Sequence, residues 1–167
     1  MTAARRFLVL QALMVWQGGF LFYSAAVVPV GTEVLGSAAV QGAISARVTD
    51  ALNACGVVAL ALVAWELSLT RDPAPRRTAA RWWCWAVAAA CQFLLLFFHQ
   101  LLDYFMDPGH TRVVIRPPFK PVHRMYLWTC TVQWVACLLL AWWTVRAWAA
   151  EGPRPPLAAS RAADEVG

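Results

Sequence analysis

The residues best equipped for chemistry crowd into one stretch of the chain. His99 and Asp103 are four apart, so they share one face of a helix. The segment after them carries Asp107, His110, Arg112 and Arg116, and then come His123, Arg124 and Tyr126. Three kinds of chemistry fit such a group. The first is an interhelical network in which Asp103 pairs with Arg124 or His123 and His99 bonds across to another helix. The second is a divalent metal or haem site built on His99, Asp103 and His123, with His110 as a further donor, since imidazoles and carboxylates suit Zn, Fe or Cu. The third is an anion site on Arg112, Arg116, Lys120 and Arg124. The spacing carries no nucleophile or oxyanion-hole signature. The expectation is therefore a non-enzymatic protein with no resident cofactor, haem or a divalent metal being the alternative.

The elements that position these residues are plain in the hydropathy. Apolar runs cover Phe7–Val30, Ala51–Leu69, Trp82–Leu102 and Met125–Val145, within a chain of 167 residues that is 60% apolar with mean hydropathy +0.54. A hydrocarbon layer of about 30 Å needs roughly 20 apolar residues as a helix. The runs lack the period-2 alternation of barrel strands, and lipid leaves only helices or closed barrels as ways to satisfy the backbone. The predicted fold is all-α: an integral membrane antiparallel four-helix bundle, one domain over 1–151, with helices at about 7–30, 46–69, 81–103 and 123–148. Residues 152–167 read as a disordered cytoplasmic tail. The alternative, a soluble all-α domain, would not need four such runs. Arg5 and Arg6 before a run that continues to Val30 read as the anchor of a retained first helix rather than a cleaved leader.

Charge gives the orientation. Arg5, Arg6, Arg71, Arg76, Arg77, Arg81, Arg146, Arg154 and Arg161 fall on one side, against Arg47, Arg112, Arg116, Lys120 and Arg124 on the other. Nine against five predicts N-in and C-in. Trp65, Trp82, Trp83, Trp85, Trp142, Trp143 and Trp148 mark the cytoplasmic interface. The net charge of +5 thus reports topology, and no nucleic acid is expected. The expected partners are the lipid bilayer and either a second copy of the chain or another membrane protein.

Polar residues inside the runs are few. Gln17, Asn53, Gln92 and Gln133 form a predicted midplane layer, either as cross-helix glue or as the lining of a solute pathway in an oligomeric transporter. Glu66 is the one carboxylate in a run; its place near the cytoplasmic end of helix two predicts that it reaches the interface toward Arg71 or Arg81. Cys84 with Cys91 and Cys130 with Cys137 are each seven apart, which predicts a thiol seam between helices three and four. That seam is either close packing of small residues or an attraction for a soft ion such as Cu(I). Gly42, Ala46, Asp50 and Ala54 recur every four residues and predict a face that packs closely on a neighbour. The segment 31–50 is open between an extension of helix two from about Ser37 and a short interfacial helix. Prolines at 73, 75, 117, 118 and 121 predict breaks.

Several short motifs together resemble a known family. They are Trp16-Gln17-Gly18-Gly19-Phe20, Val27-Val28-Pro29-Val30-Gly31, Val48-Thr49 with Leu52-Asn53, His99 with Asp103, and His123-Arg124-Met125-Tyr126-Leu127 with Gln133-Trp134. This pattern resembles a bacterial branch of the uncharacterised membrane family related to the eukaryotic transmembrane protein 205. The resemblance implies a four-pass membrane protein and transfers no catalytic residue. Arginine over lysine and abundant alanine resemble a high-GC bacterial source, so the expected location is a bacterial cytoplasmic membrane.

Overall fold

The computed structural model describes residues 2–151 except Arg71, Pro108, His110 and Thr111. The chain is all-α, with four helical stretches long and apolar enough to cross a membrane: Thr2–Leu35, Ala38–Leu69, Pro75–Tyr104 and Arg116–Ala150. The first is composite. α1 (Thr2–Phe22) passes through a π turn (Tyr23–Val27) into α2 (Val28–Leu35). Pro29 explains the wide turn: it has no N–H to give, and its ring crowds the carbonyl of Ala25, which lies within the π segment. The others are α3 (Ala38–Leu69), α4 (Pro75–Tyr104) and α5 (Arg116–Ala150).

Every helix outruns the apolar stretch that announced it. Hydropathy marks only the part suited to lipid, whereas capping decides where a helix stops. Gly36, at φ 60°, closes α2 in the left-handed conformation. Ser37 then caps α3, its Oγ accepting from Val40 N at 3.4 Å. Within segment 31–50, residues up to Leu35 therefore finish the first stretch and helix two begins at Ala38 after a single tight reversal. The prolines also differ from expectation. Pro117 and Pro118 lie in the first turn of α5, where N–H groups have no helical partner anyway, and Pro121 follows one turn later. They open the helix instead of preceding it.

The two ends of the bundle are unlike. Arg5, Glu66, Arg81 and Trp148 gather at one end, and Tyr23, Ser45, His99 and Tyr126 at the other. The main apolar cluster occupies the Glu66 half, where Val9, Leu13 and Trp16 meet Leu60, Val63, Ala88, Ala136 and Leu140; toward the His99 end the buried apolar side chains include Leu95, Phe98, Leu102 and Phe105. At the His99 end the first stretch leans away: no Cα of Tyr23–Leu35 lies within 8 Å of a Cα of α4 or α5. Large apolar side chains point outward on all sides, Phe93 at 72% and Trp83 at 73% exposure among them. Such a surface suits lipid. Of the tryptophans grouped by sequence, Trp65, Trp82, Trp83 and Trp142 do face outward. Trp85 and Trp148 turn inward, Nε1 of Trp85 donating to Leu60 O at 2.9 Å and Nε1 of Trp148 to Glu66 at 2.7 Å.

The α3–α4 connection is held by one carboxylate. Asp72 accepts from Ala74 N at 2.9 Å and from Arg77 Nε and Nη2 at 2.5 and 2.6 Å. The hydrogen-bonded Arg77 guanidinium holds the Asp72 carboxyl below its usual range. A depressed folded-state value means that the unfolded chain binds the proton more readily. The contribution of Asp72 is then complete above the unfolded value near 4 and is lost as pH falls through the lower folded one. Asp72→Asn is expected to melt below wild type at neutral pH, with the gap closing under acid. Thermal melts across that range check the sign.

Candidate functional site

At the splayed end, α3 and α4 bring Asp50, His99 and Asp103 together. His99 is 6% exposed. Its Nε2 lies 2.7 Å from Asp50 Oδ1 and 3.6 Å from Asp103 Oδ2. An ionised carboxylate only accepts, so Nε2 carries the hydrogen and donates to Asp50. His99 thus bonds across to helix two through Asp50, whose carboxylate lies outside the candidate cluster read from sequence. The sequence signal for it was weak: Asp50 is 49 positions from His99 and lies outside the apolar runs.

His123 lines the same cavity as His99 and Asp103 but has a different contact. Its ring stacks on Phe119, one turn earlier in α5, with centroids 5.9 Å apart and planes 5° from parallel. Arg124 is exposed, as are Arg112, Arg116 and Lys120. Among the described residues no three His, Cys, Asp or Glu side chains are grouped so as to hold a metal ion. The proposed ligand trio His99, Asp103 and His123 is therefore not assembled as one donor set, because Nε2 of His99 is committed to a carboxylate and His123 to an aromatic stack. His110 lies outside the described residues.

Two adjoining cavities fill the space between the splayed helices. The outer one, about 540 Å³, is lined in its polar part by Gln41, Ser45, Thr49, His99, Asp103 and His123. The inner one, about 330 Å³, reaches Trp16, Phe20, Leu95, Asn53, Cys130 and Gln133. Val28, Ser45, Thr49, His123 and Tyr126 belong to both linings. Tyr23, on the π turn, fixes one wall by donating to Ser45 Oγ at 2.8 Å, and Gln41 Nε2 donates to the Tyr23 hydroxyl at 3.3 Å. Gly42 and Ala46 line the outer cavity, and a methyl added at Gly42 would meet nothing within 4 Å. The small-residue face expected to pack closely opens a space instead.

The inner cavity ends on the midplane polar residues. Gln92 Nε2 donates to Asn53 Oδ1 at 3.3 Å and to Asn53 O at 3.4 Å. Gln133 Nε2 donates to Gln92 Oε1 at 3.1 Å and to Ala88 O at 3.2 Å. Such bonds are each worth about 0.6–2 kcal/mol among apolar helices. Gln17 stands apart, its Oε1 buried without a partner. Of the expected four-residue layer, Asn53, Gln92 and Gln133 form a hydrogen-bonded chain across helices two, three and four, and Gln17 Oε1 makes no bond to it. Cys91, Cys130 and Cys137 are buried and Cys84 half-buried on α4 and α5, while Cys55 is exposed.

A second polar cluster closes the other end. Glu66 is fully buried and accepts from Arg5, from Thr70 Oγ1 at 2.5 Å and from Trp148 Nε1 at 2.7 Å. Arg81, also fully buried, donates to Thr144 Oγ1 at 3.3 Å. Arg6 pairs with Glu151 and lies over the Trp148 ring at 5.1 Å. Glu66 therefore does not snorkel to an interface; a carboxylate with three donors from three helices is stable inside the bundle. Among the described residues its hydrogen bonds come from Arg5, Thr70 and Trp148 rather than from Arg81. Arg71 lies outside the described residues.

No protein-family model, characterised protein or solved structure matches the chain.

Proposed function

We propose that the protein is a non-enzymatic multi-pass protein of a bacterial cytoplasmic membrane, an antiparallel four-helix bundle that holds a small ligand at its extracytoplasmic end as a carrier or binding subunit. The observation that carries this reading is the asymmetry of the interior: a packed apolar core and ion-paired cluster in the Glu66 half, two adjoining cavities in the His99 half. A concave, mostly apolar space with a few convergent polar groups is the usual form of a small-molecule site. The arginine distribution favours placing the Glu66 end in the cytoplasm. The kinship with the transmembrane protein 205 family belongs to the same proposal and rests on the motifs quoted above.

The wall shared by both cavities offers the test. Ser45→Trp puts an indole into that wall. Native mass spectrometry of protein taken from its own membrane is expected to show a bound small-molecule mass on wild type that Ser45→Trp lacks, at equal helix content. If wild type carries nothing that the variant lacks, the reading is wrong.

A further inference from the structure

We infer that the ligand is an uncharged, lipid-borne amphiphile whose carbonyl or hydroxyl oxygen is received by Asn53, and that it enters sideways between the first and fourth helical stretches. This rests on the binding-site reading above and names the chemistry of that site.

Charge is the first argument. Among the described residues no arginine or lysine lines either cavity. Among the described residues the one carboxylate in the lining, Asp103, already has His99 beside it. An anionic head brought into this space would lose water and find no lysine or arginine, and a cationic head would have to compete with His99 for Asp103. The remaining polar lining is made of neutral hydroxyls and amides together with His123.

Hydrogen bonding is the second argument. Asn53 is 6% exposed and lines the inner cavity, and its Nδ2 is buried with no partner. Its Oδ1 is already used by Gln92, so the amide is fixed with its donor side free. The Tyr126 hydroxyl lies beside Asn53, Thr49 and the Cys130 thiol without meeting hydrogen-bond geometry to Nδ2. The unpartnered Nδ2, buried and facing this small space, calls for an oxygen acceptor. A buried donor left without one loses its hydration with nothing in return.

The walls and the opening supply the rest. Trp16, Phe20, Leu52, Leu95 and Leu127 give the inner cavity an apolar lining suited to a hydrocarbon or flat ring. Ser24 and Leu127, from the first and fourth stretches, line it and are themselves exposed. With Tyr23–Leu35 held away from α5, the gap faces the side of the bundle, which is the lipid in the proposed setting. A molecule dissolved in the bilayer reaches the cavity without crossing water.

The test uses three single-chain amphiphiles with the same photoreactive diazirine tail and different heads: glycerol, trimethylammonium and phosphate. Each is added to the full chain in lipid nanodiscs, and labelled peptides are mapped by mass spectrometry. Saturable labelling around Phe20 and Leu127 is expected for the glycerol head, at about tenfold lower concentration than for either charged head. Asn53→Leu is expected to weaken that labelling about tenfold, the loss of one or two hydrogen bonds. Gln92→Leu, which breaks the same polar chain but leaves Nδ2 in place, is expected to weaken it far less. Equal or stronger labelling by a charged head overturns the inference while the binding site stands. Equal loss in the Asn53 and Gln92 variants overturns the role of Nδ2. Labelling spread over the outer helix faces with no saturable component for any head overturns both the inference and the site.

Discussion

Glu66→Ala is expected to lower the stability of the bundle by about 3–5 kcal/mol, the range for breaking a buried ion pair from one side. The carboxylate is wholly buried and ties Arg5 of the first stretch, Thr70 at the end of the second and Trp148 of the fourth. Arg6 Nε lies 4.0 Å away and has no hydrogen-bond partner of its own. Arg81 is as deeply buried and lies within the field of Glu66, with Nη2 unpartnered. Removing this buried negative charge leaves Arg5 uncompensated and takes from Arg81 its strongest negative neighbour, while Arg6 keeps Glu151. Glu66→Gln keeps an oxygen for Thr70 and Trp148 but not the charge, so its loss falls between alanine and wild type. Unfolding monitored by circular dichroism in mild detergent checks both. A loss below about 1 kcal/mol for alanine would mean that the pairs behave as solvated surface bridges.

Gly56→Ala is expected to destabilise by about 1–3 kcal/mol, the usual penalty for overfilling a packed interior. A methyl there would fall 2.5 Å from Gln92 Oε1 and 2.8 Å from two ring atoms of Trp16. The Gln92 amide is held by Gln133, and Trp16 is 3% exposed with core packed around it, so neither yields cheaply. This is the close helix approach that the Gly42 stripe was expected to provide. Gly42→Ala should show the opposite sign, a gain of about 0.5–1 kcal/mol, since the helix loses a flexible residue and nothing is struck. Melting both variants side by side separates the two glycines; equal behaviour would refute the packing assigned to Gly56.

The two variants also bear on the site. Trp16 packs against Gly56 on one side and lines the inner cavity on the other. Gly56→Ala is therefore expected to disturb ligand labelling as well as stability. Glu66→Ala acts at the opposite end of the bundle and tests the clamp alone.

Along the helices, position was legible. The apolar runs located four stretches able to cross a membrane, and counting along them placed Gln92 and Gln133 at one depth and His99 near one end. Depth follows from sequence because each residue adds about 1.5 Å to a helix, whatever surrounds it. Rotation about the helix axis did not follow. A helix that meets lipid on one side and protein on the other is apolar all round, so the polar stripe that reveals the buried face of a soluble helix is missing. Only packing decided that Trp148 and Trp85 turn inward while Trp83 turns out, that Gln17 leaves the polar chain, and that Glu66 is sealed by Arg5 and Trp148 from 61 and 82 positions away. The splay that creates the cavities has the same origin: Pro29 and the π turn are written in the chain, but the gap exists only because α4 and α5 pack on each other and leave Tyr23–Leu35 to α3 alone.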